Sequence, residues 1–321
     1  MQADPALPSV EGALDLPSVQ GAPAPAQPRR RFRLTQQKVA PYLFVLPNML
    51  VFGLFTIYPA LNMFNMALYD SRNGRTFRWV GAGNFTEIAT DGEFARVLGQ
   101  TIIFTTGFVG LTVVFSTLFA MLLNDNFPGR TFFRAVVFLP SLLSAVVIGL
   151  LWGWMFDRSN GLINTVFGAF GLPQPGWLVD GGLAMGVIIF VGLWMHTGFY
   201  TLIMLAGLQG IDPNVHEAAK VDGATSWQRF TKITWPLLAP TTLVVVILST
   251  ISGFQSFDFI WTLTGGGPVG STTLIVQYIY EKGFSTPSRY GLAAAGGVVL
   301  FAMVFVLTTI NFAYGRRKGA A

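Results

Sequence analysis

Six long stretches of this chain carry no Lys, Arg, Asp or Glu: 39–69, 97–124, 135–156, 181–211, 233–257 and 290–315, each dominated by aliphatic and aromatic residues with small ones between them. A helix needs about 20 mainly apolar residues to cross the roughly 30 Å hydrocarbon layer of a bilayer. Each stretch meets that length, which predicts an all-α integral membrane protein with six transmembrane helices. A seventh uncharged segment, 159–179, is interrupted by Gly161, Gly168, Gly171, Pro173, Pro175 and Gly176. Glycine and proline at that density break a span, so the segment reads as an outer loop carrying at most a short interfacial helix.

An even number of spans puts both chain ends on one side. Thirteen of the 20 basic residues fall in the two termini and in segments 130–134 and 220–232, and the other seven are Arg72, Arg75, Arg78, Arg96, Arg158, Lys282 and Arg289. Cytoplasmic loops of membrane proteins carry the excess of Lys and Arg, so both termini are expected in the cytoplasm. Composition agrees with a membrane protein: 52% of residues are hydrophobic and 11% charged, against about 25% charged in an average soluble domain. The net charge of +5 then follows from topology and gives no reason to invoke nucleic acid. The chain has no Cys, which removes disulfides, thiolate nucleophiles and Cys-ligated metals. Residues 1–38 include Pro5, Pro8, Pro17, Pro23, Pro25 and Pro28 among Ala, Gly and Ser and are expected to be a disordered Pro-rich cytoplasmic tail. The membrane domain then spans 39–315, its first span reading as an uncleaved anchor, and 316–321 form a basic cytoplasmic tail.

The cytoplasmic loop 211–236 between the fourth and fifth spans has more helix punctuation than a connector needs. Asp212 suits an N-cap, Pro213 the first helical position, and Gly223 the left-handed residue that ends the helix. Thr225 or Ser226 can cap a second short helix running toward Pro236. Val215, Ala218 and Ala219 make a small apolar stripe on the first helix. Within this loop Glu217, Ala218, Ala219, then Gly223 after three residues, Ile233 after nine more and Pro236 after another two resemble the E-A-A signature of importer permeases of the ATP-binding cassette type. Trp235 stands where that family more often has Leu.

The segment FDFIWTLTGGGP at 257–268 and STTLIVQYIY at 271–280 are similar to the carbohydrate-uptake branch, which includes maltose and glycerol-3-phosphate permeases. The resemblance covers about residues 41–314 and implies the type I ABC importer permease fold with a cytoplasmic coupling helix. It assigns ATPase coupling to Glu217, Ala218, Ala219, Asp222 and Gly223. It also implies the partners: a second permease subunit, with a heterodimer expected and a homodimer as the alternative; two ATPase subunits that hold the ATP and Mg; and an extracytoplasmic solute-binding protein that meets the loop at Gly265–Pro268. The expected place is a bacterial or archaeal cytoplasmic membrane.

A solute pathway needs small or polar side chains turned away from lipid. The fifth span offers Ser249, Ser252, Gly253 and Ser256 at helical spacing with Gln255 beside them, and the fourth offers Gly192, Met195, His196 and Phe199, flanked by Trp194 and Tyr200. Small residues also serve close helix packing, so packing and pathway remain open for both stripes; the resemblance aligns them with the sugar-lining positions of the maltose-type permease. His196 has no second ligand at metal spacing, and His216 reads as a surface residue. Asp258 is read as an outer-interface residue or a partner for a neighbouring helix.

No phosphate-loop or dinucleotide motif occurs in the chain, so the expected role is transport with ATP hydrolysis on a separate polypeptide. The expected solute is a small carbohydrate such as a disaccharide. Glycerol-3-phosphate is the alternative, disfavoured because no span has a basic residue in its interior. A stand-alone secondary transporter or a membrane enzyme would need clustered ionisable groups and would leave the loop motif unexplained.

Overall fold

The computed structural model describes residues 36–72 and 74–319. Of the segments expected as tails, residues 1–35 and 320–321 lie outside the described residues. The chain divides into two units at Leu54 and Phe55. In the first, helix α1 (Gln36–Phe52) contains Pro41 and Pro47, and its side chains from Tyr42 to Phe52 are all exposed. A helix that is apolar all round and unburied suits lipid or another chain as its surroundings.

A π-helical turn, Gly53–Ile57, includes the division point and leads into α2 (Tyr58–Met66) of the second unit. Two short antiparallel strands follow, β1 (Tyr69–Asp70) and β2 (Arg78–Trp79), with Tyr69 opposite Trp79. Next come α3 (Gly83–Thr90), α4 (Gly92–Asn124), α5 (Arg130–Phe138) running into a 3₁₀ turn at Leu139–Leu142, α6 (Ala145–Met155), α7 (Leu162–Ala169) and α8 (Gly181–Gln209). The chain continues through α9 (Pro213–Val221), α10 (Ser226–Arg229), a π-helical turn at Phe230–Thr234, α11 (Trp235–Leu237) and α12 (Ala239–Phe254). It ends with α13 (Asp258–Leu263), α14 (Ile275–Phe284) and α15 (Tyr290–Gly319).

Among the described residues, four helical segments are each long and apolar enough to cross a membrane: Pro41–Met66, Gly92–Asn124, Gly181–Gln209 and Tyr290–Ala313. The other two expected spans are bent pairs, Arg130–Leu142 with Ala145–Met155 at 98°, and Ser226–Leu237 with Ala239–Phe254 at 65°. The third expected span, 135–156, is therefore a broken one. Pro140 cannot donate to a continuing helix, and Leu143 and Ser144 are extended between the two halves. In the fifth span Pro236 and Pro240 flank the bend. Segment 159–179 carries the short helix α7, as expected. The final helix continues to Gly319, beyond the expected limit at 315.

The larger core lies where α4 meets α8, with Phe104 and Phe108 of α4 against Ile188, Val191 and Met195 of α8, and is closed by α6, α12 and α13. Hydroxyls inside these helices turn back on their own carbonyls: Thr101 to Val97, Thr117 to Val113, Thr197 to Leu193, Ser249 to Val245. That satisfies groups which lipid would leave without partners. A second core joins α3, the start of α4, α14 and α15. At its edge Arg289 forks onto both carboxylate oxygens of Glu87, Tyr278 donates to Asp91 at 2.8 Å, and Lys282 pairs with Glu93 at 2.8 Å. The Arg289 hydrogen bond holds the Glu87 carboxyl below its ordinary range and raises Arg289 in turn. Burial pushes Asp91 upward, but the bonds from Tyr278 and the Glu93 amide outweigh it and leave it lowered; burial and the Asp91 bond push the Tyr278 phenol up. Lys282 and Arg289, assigned to the same side by charge counting, thus sit together at one end of the fold.

Candidate functional site

The loop between α8 and α12 folds as a hairpin. The Asp212 side chain accepts from the Asn214 amide at 2.9 Å and so caps α9, whose first residue is Pro213. At the other end the Ala224 amide donates to the Ala219 carbonyl at 2.9 Å and the Gly223 amide to the Lys220 carbonyl at 3.1 Å. This pair of bonds requires a left-handed residue between them, and Gly223 supplies it with φ +76°. Nothing lies within 4 Å of the place a Cβ would occupy at Gly223, so its glycine answers to backbone conformation and not to crowding. Thr225 then caps α10: its hydroxyl accepts from the Gln228 amide, while the Gln228 side chain accepts from the Thr225 amide at 2.8 Å. The paired backbone bonds that close α9 at Gly223 and the reciprocal cap that opens α10 make the reversal stiff.

Of the five residues assigned to this hairpin, Glu217, Ala218, Asp222 and Gly223 are exposed, while Ala219 is buried at 8% exposure. The stripe of Val215, Ala218 and Ala219 is thereby divided: the first two face outward and Ala219 packs inward. Val221 is 88% and Trp227 71% exposed, so the hairpin displays apolar surface that nothing in the described chain covers. His216 is half-buried at its edge.

The two stripes in the membrane divide in the same way. Gly192, Met195, Ser249 and Gly253 are buried inside the helix packing. A Cβ on Gly192 would stand 3.2 Å from the Phe259 ring, and one on Gly253 2.9 Å from Thr105 Cγ2. Gly192 and Gly253 thus stand where neighbouring helices come very near, and Met195 and Ser249 are enclosed beside them. His196, Ser252 and Ser256 are half-buried, and Phe199 and Gln255 exposed.

The structure draws α8 and α12 together at this face through Tyr200, whose hydroxyl donates to Ser252 Oγ at 3.1 Å. His196 lies over Tyr200 with ring centroids 6.4 Å apart, Phe199 meets Tyr200 edge-on at 5.4 Å, and Phe108 meets His196 edge-on at 5.5 Å. His196 Nδ1 lies 3.0 Å from the Gly192 carbonyl. A carbonyl only accepts, so Nδ1 is the donor in this contact and Nε2 is left for another partner. Ser256 falls beyond the end of α12 at Phe254, so the helical spacing that selected it stops short of it; its hydroxyl instead donates to the Ser252 carbonyl at 2.8 Å. Aromatic faces beside hydroxyl, amide and imidazole groups can stack on a sugar ring and bond its hydroxyls. Tyr200 was visible in sequence only as a neighbour of the stripe, and Phe108 and Ser141, which bonds α8 here, gave no signal, because their contacts cross from distant segments.

Beyond α13, the glycine-rich loop is held rigidly. Thr264 and Thr272 hydroxyls lie 2.8 Å apart, Gln277 donates to the Gly265 carbonyl at 3.0 Å, and Gln100 to the Gly270 carbonyl at 2.9 Å. Val269 at its tip is 95% exposed and held at φ +49°, a conformation that β-branched residues rarely adopt. Asp258 opens α13 and is exposed.

Known proteins are similar to this chain in sequence and in fold. The trehalose/maltose transport system permease protein of Thermococcus litoralis is 33% identical over 276 residues, covering 86% of this chain and 93% of that one. The lactose transport system permease protein of Rhizobium radiobacter is 34% identical over 284 residues, covering 86% and 94%. Among solved structures, a bacterial ABC transporter involved in the import of the acidic polysaccharide alginate superposes with a TM-score of 0.76 at 25% identity, over 88% of this chain and 96% of that one. Residues 112–319 match the family model described as the binding-protein-dependent transport system inner membrane component, and the chain belongs to that family.

Proposed function

We propose that this chain is the permease subunit of an ATP-driven importer that takes a small neutral carbohydrate, of disaccharide size, from an extracytoplasmic binding protein. The observation that carries the reading is the doubly capped hairpin with exposed Glu217, Ala218, Asp222 and Gly223. Stiff, small-faced and joined through the π-helical turn to α12, it suits a cleft in an ATPase whose closure on ATP and Mg moves the spans. In this reading both termini and the hairpin are cytoplasmic, the rigid Val269 loop meets the binding protein, and a second permease subunit closes the pathway over His196, Phe199, Tyr200, Ser252, Gln255 and Ser256. Similarity to permeases named for maltose, trehalose and lactose supports the solute class.

The chain has no Cys, so a single introduced thiol is unique. Ala218→Cys in the membrane-embedded chain should label only from the cytoplasmic side and cross-link to the co-expressed ATPase; labelling from outside, or uptake of radiolabelled maltose or lactose that persists without ATP, would exclude this assignment in favour of a stand-alone transporter.

A further inference from the structure

Helix α8 is crossed near its middle by the end of α5 and the 3₁₀ turn that follows it. The crossing is close enough to require Gly198: a Cβ there would overlap the Val137 carbonyl oxygen and stand 2.7 Å from Phe138 Cα. At this point Ser141 Oγ donates to the Met195 carbonyl at 2.9 Å and accepts from the Phe199 amide at 3.3 Å. Met195 carbonyl and Phe199 amide are the two ends of one helical i to i−4 bond. The Ser141 hydroxyl therefore bridges the turn that carries both His196 and Phe199. The buried Pro140 before it has a fixed φ and no amide to donate, which holds the 3₁₀ turn in place.

We infer that Ser141 is a positioning residue for transport: its hydroxyl holds the 195–199 turn of α8 in register and, through that backbone, fixes how Phe199 and His196 face the solute. The broken third span thus acts as a brace for the pathway face. This role rests on the pathway reading above, and the two can be separated.

Amide hydrogen exchange on the purified full chain reads the brace directly. Ser141→Ala should speed exchange in peptides covering 195–204 by about fivefold, the change a neutral hydrogen bond carries, and Ser141→Thr should keep the native rate. In the reconstituted importer, with radiolabelled maltose or lactose supplied by the binding protein, Ser141→Ala should lower sugar delivered per ATP hydrolysed by a similar factor. Weakened assembly alone would lower both quantities together and leave the ratio untouched. Phe199→Ala should lower the same ratio, and the double variant should be no worse than Phe199→Ala. Unchanged exchange in Ser141→Ala, or additive losses in the double variant, would overturn the inference. Faster exchange in Ser141→Ala together with a Phe199→Ala variant that transports normally would instead overturn the pathway reading, and with it the role in transport, while the brace itself stands.

Discussion

The hairpin at 212–229 and the face shared by α8 and α12 obtain their order from different sources. Every bond that shapes the hairpin joins residues within five positions of one another: Asp212 with Asn214, Ala219 with Ala224, Thr225 with Gln228. The membrane face depends on contacts between distant segments, such as Tyr200 with Ser252, Ser141 with Phe199 and Gly253 with Thr105. A part built locally can move as a rigid body against the rest of the molecule, whereas a part built by long-range packing changes when its neighbours move. That division suits a machine in which one element receives force and the other changes its access to solute.

The largest effect should come from Gly223→Val. A β-branched residue in the left-handed region costs about 1–2 kcal/mol or more, and the reversal would open. Sugar uptake in the reconstituted importer should fall more than about tenfold, while the melting temperature of the membrane domain, measured by intrinsic fluorescence, stays near native, since nothing packs on that position. A variant that still couples ATP to uptake would remove the distinction between the two regions.

Gly253→Val tests the opposite case. Its added carbons must enter space held by Thr105, and overpacking of this kind costs about 1–3 kcal/mol, so thermal stability and yield should drop. Retained stability with altered solute preference would instead place Gly253 on the pathway. Tyr200→Phe removes only the hydroxyl bonded to Ser252, worth about 1 kcal/mol; sugar delivered per ATP should fall several-fold with little loss of stability. Smallest of all is the pH effect at the edge of the second core. Glu87 and Asp91 are lowered in the fold, so their contribution is full above the ordinary carboxylate range near pH 4 and is lost as pH falls through their folded values. Melting temperature should therefore decline on acidification below about pH 4, and Glu87→Gln should flatten that decline.

Much of the fold was legible because membrane-spanning segments are specified by length and apolarity alone. The hairpin was equally legible, since Asp212, Pro213, Gly223 and Thr225 act on their immediate neighbours. The straightness of the third and fifth spans was not. Pro140 and Pro240 lie in runs that are uniformly apolar, and a hydropathy pattern carries no sign of a 98° turn. The helical spacing that picked out Ser256 does not reach it, because α12 ends two residues earlier.

The chain by itself determined that it spans a membrane, which end of each segment carries charge, and where a capped reversal interrupts the spans, because solvation and capping act between a residue and its surroundings or its near neighbours. Only the tertiary structure decided which small residues are enclosed by neighbouring helices and which stay accessible in the chain. A serine or glycine reads the same in either role until the helix that approaches it, from 50 or more residues away in the cases of Ser141 and Ser252, is in place.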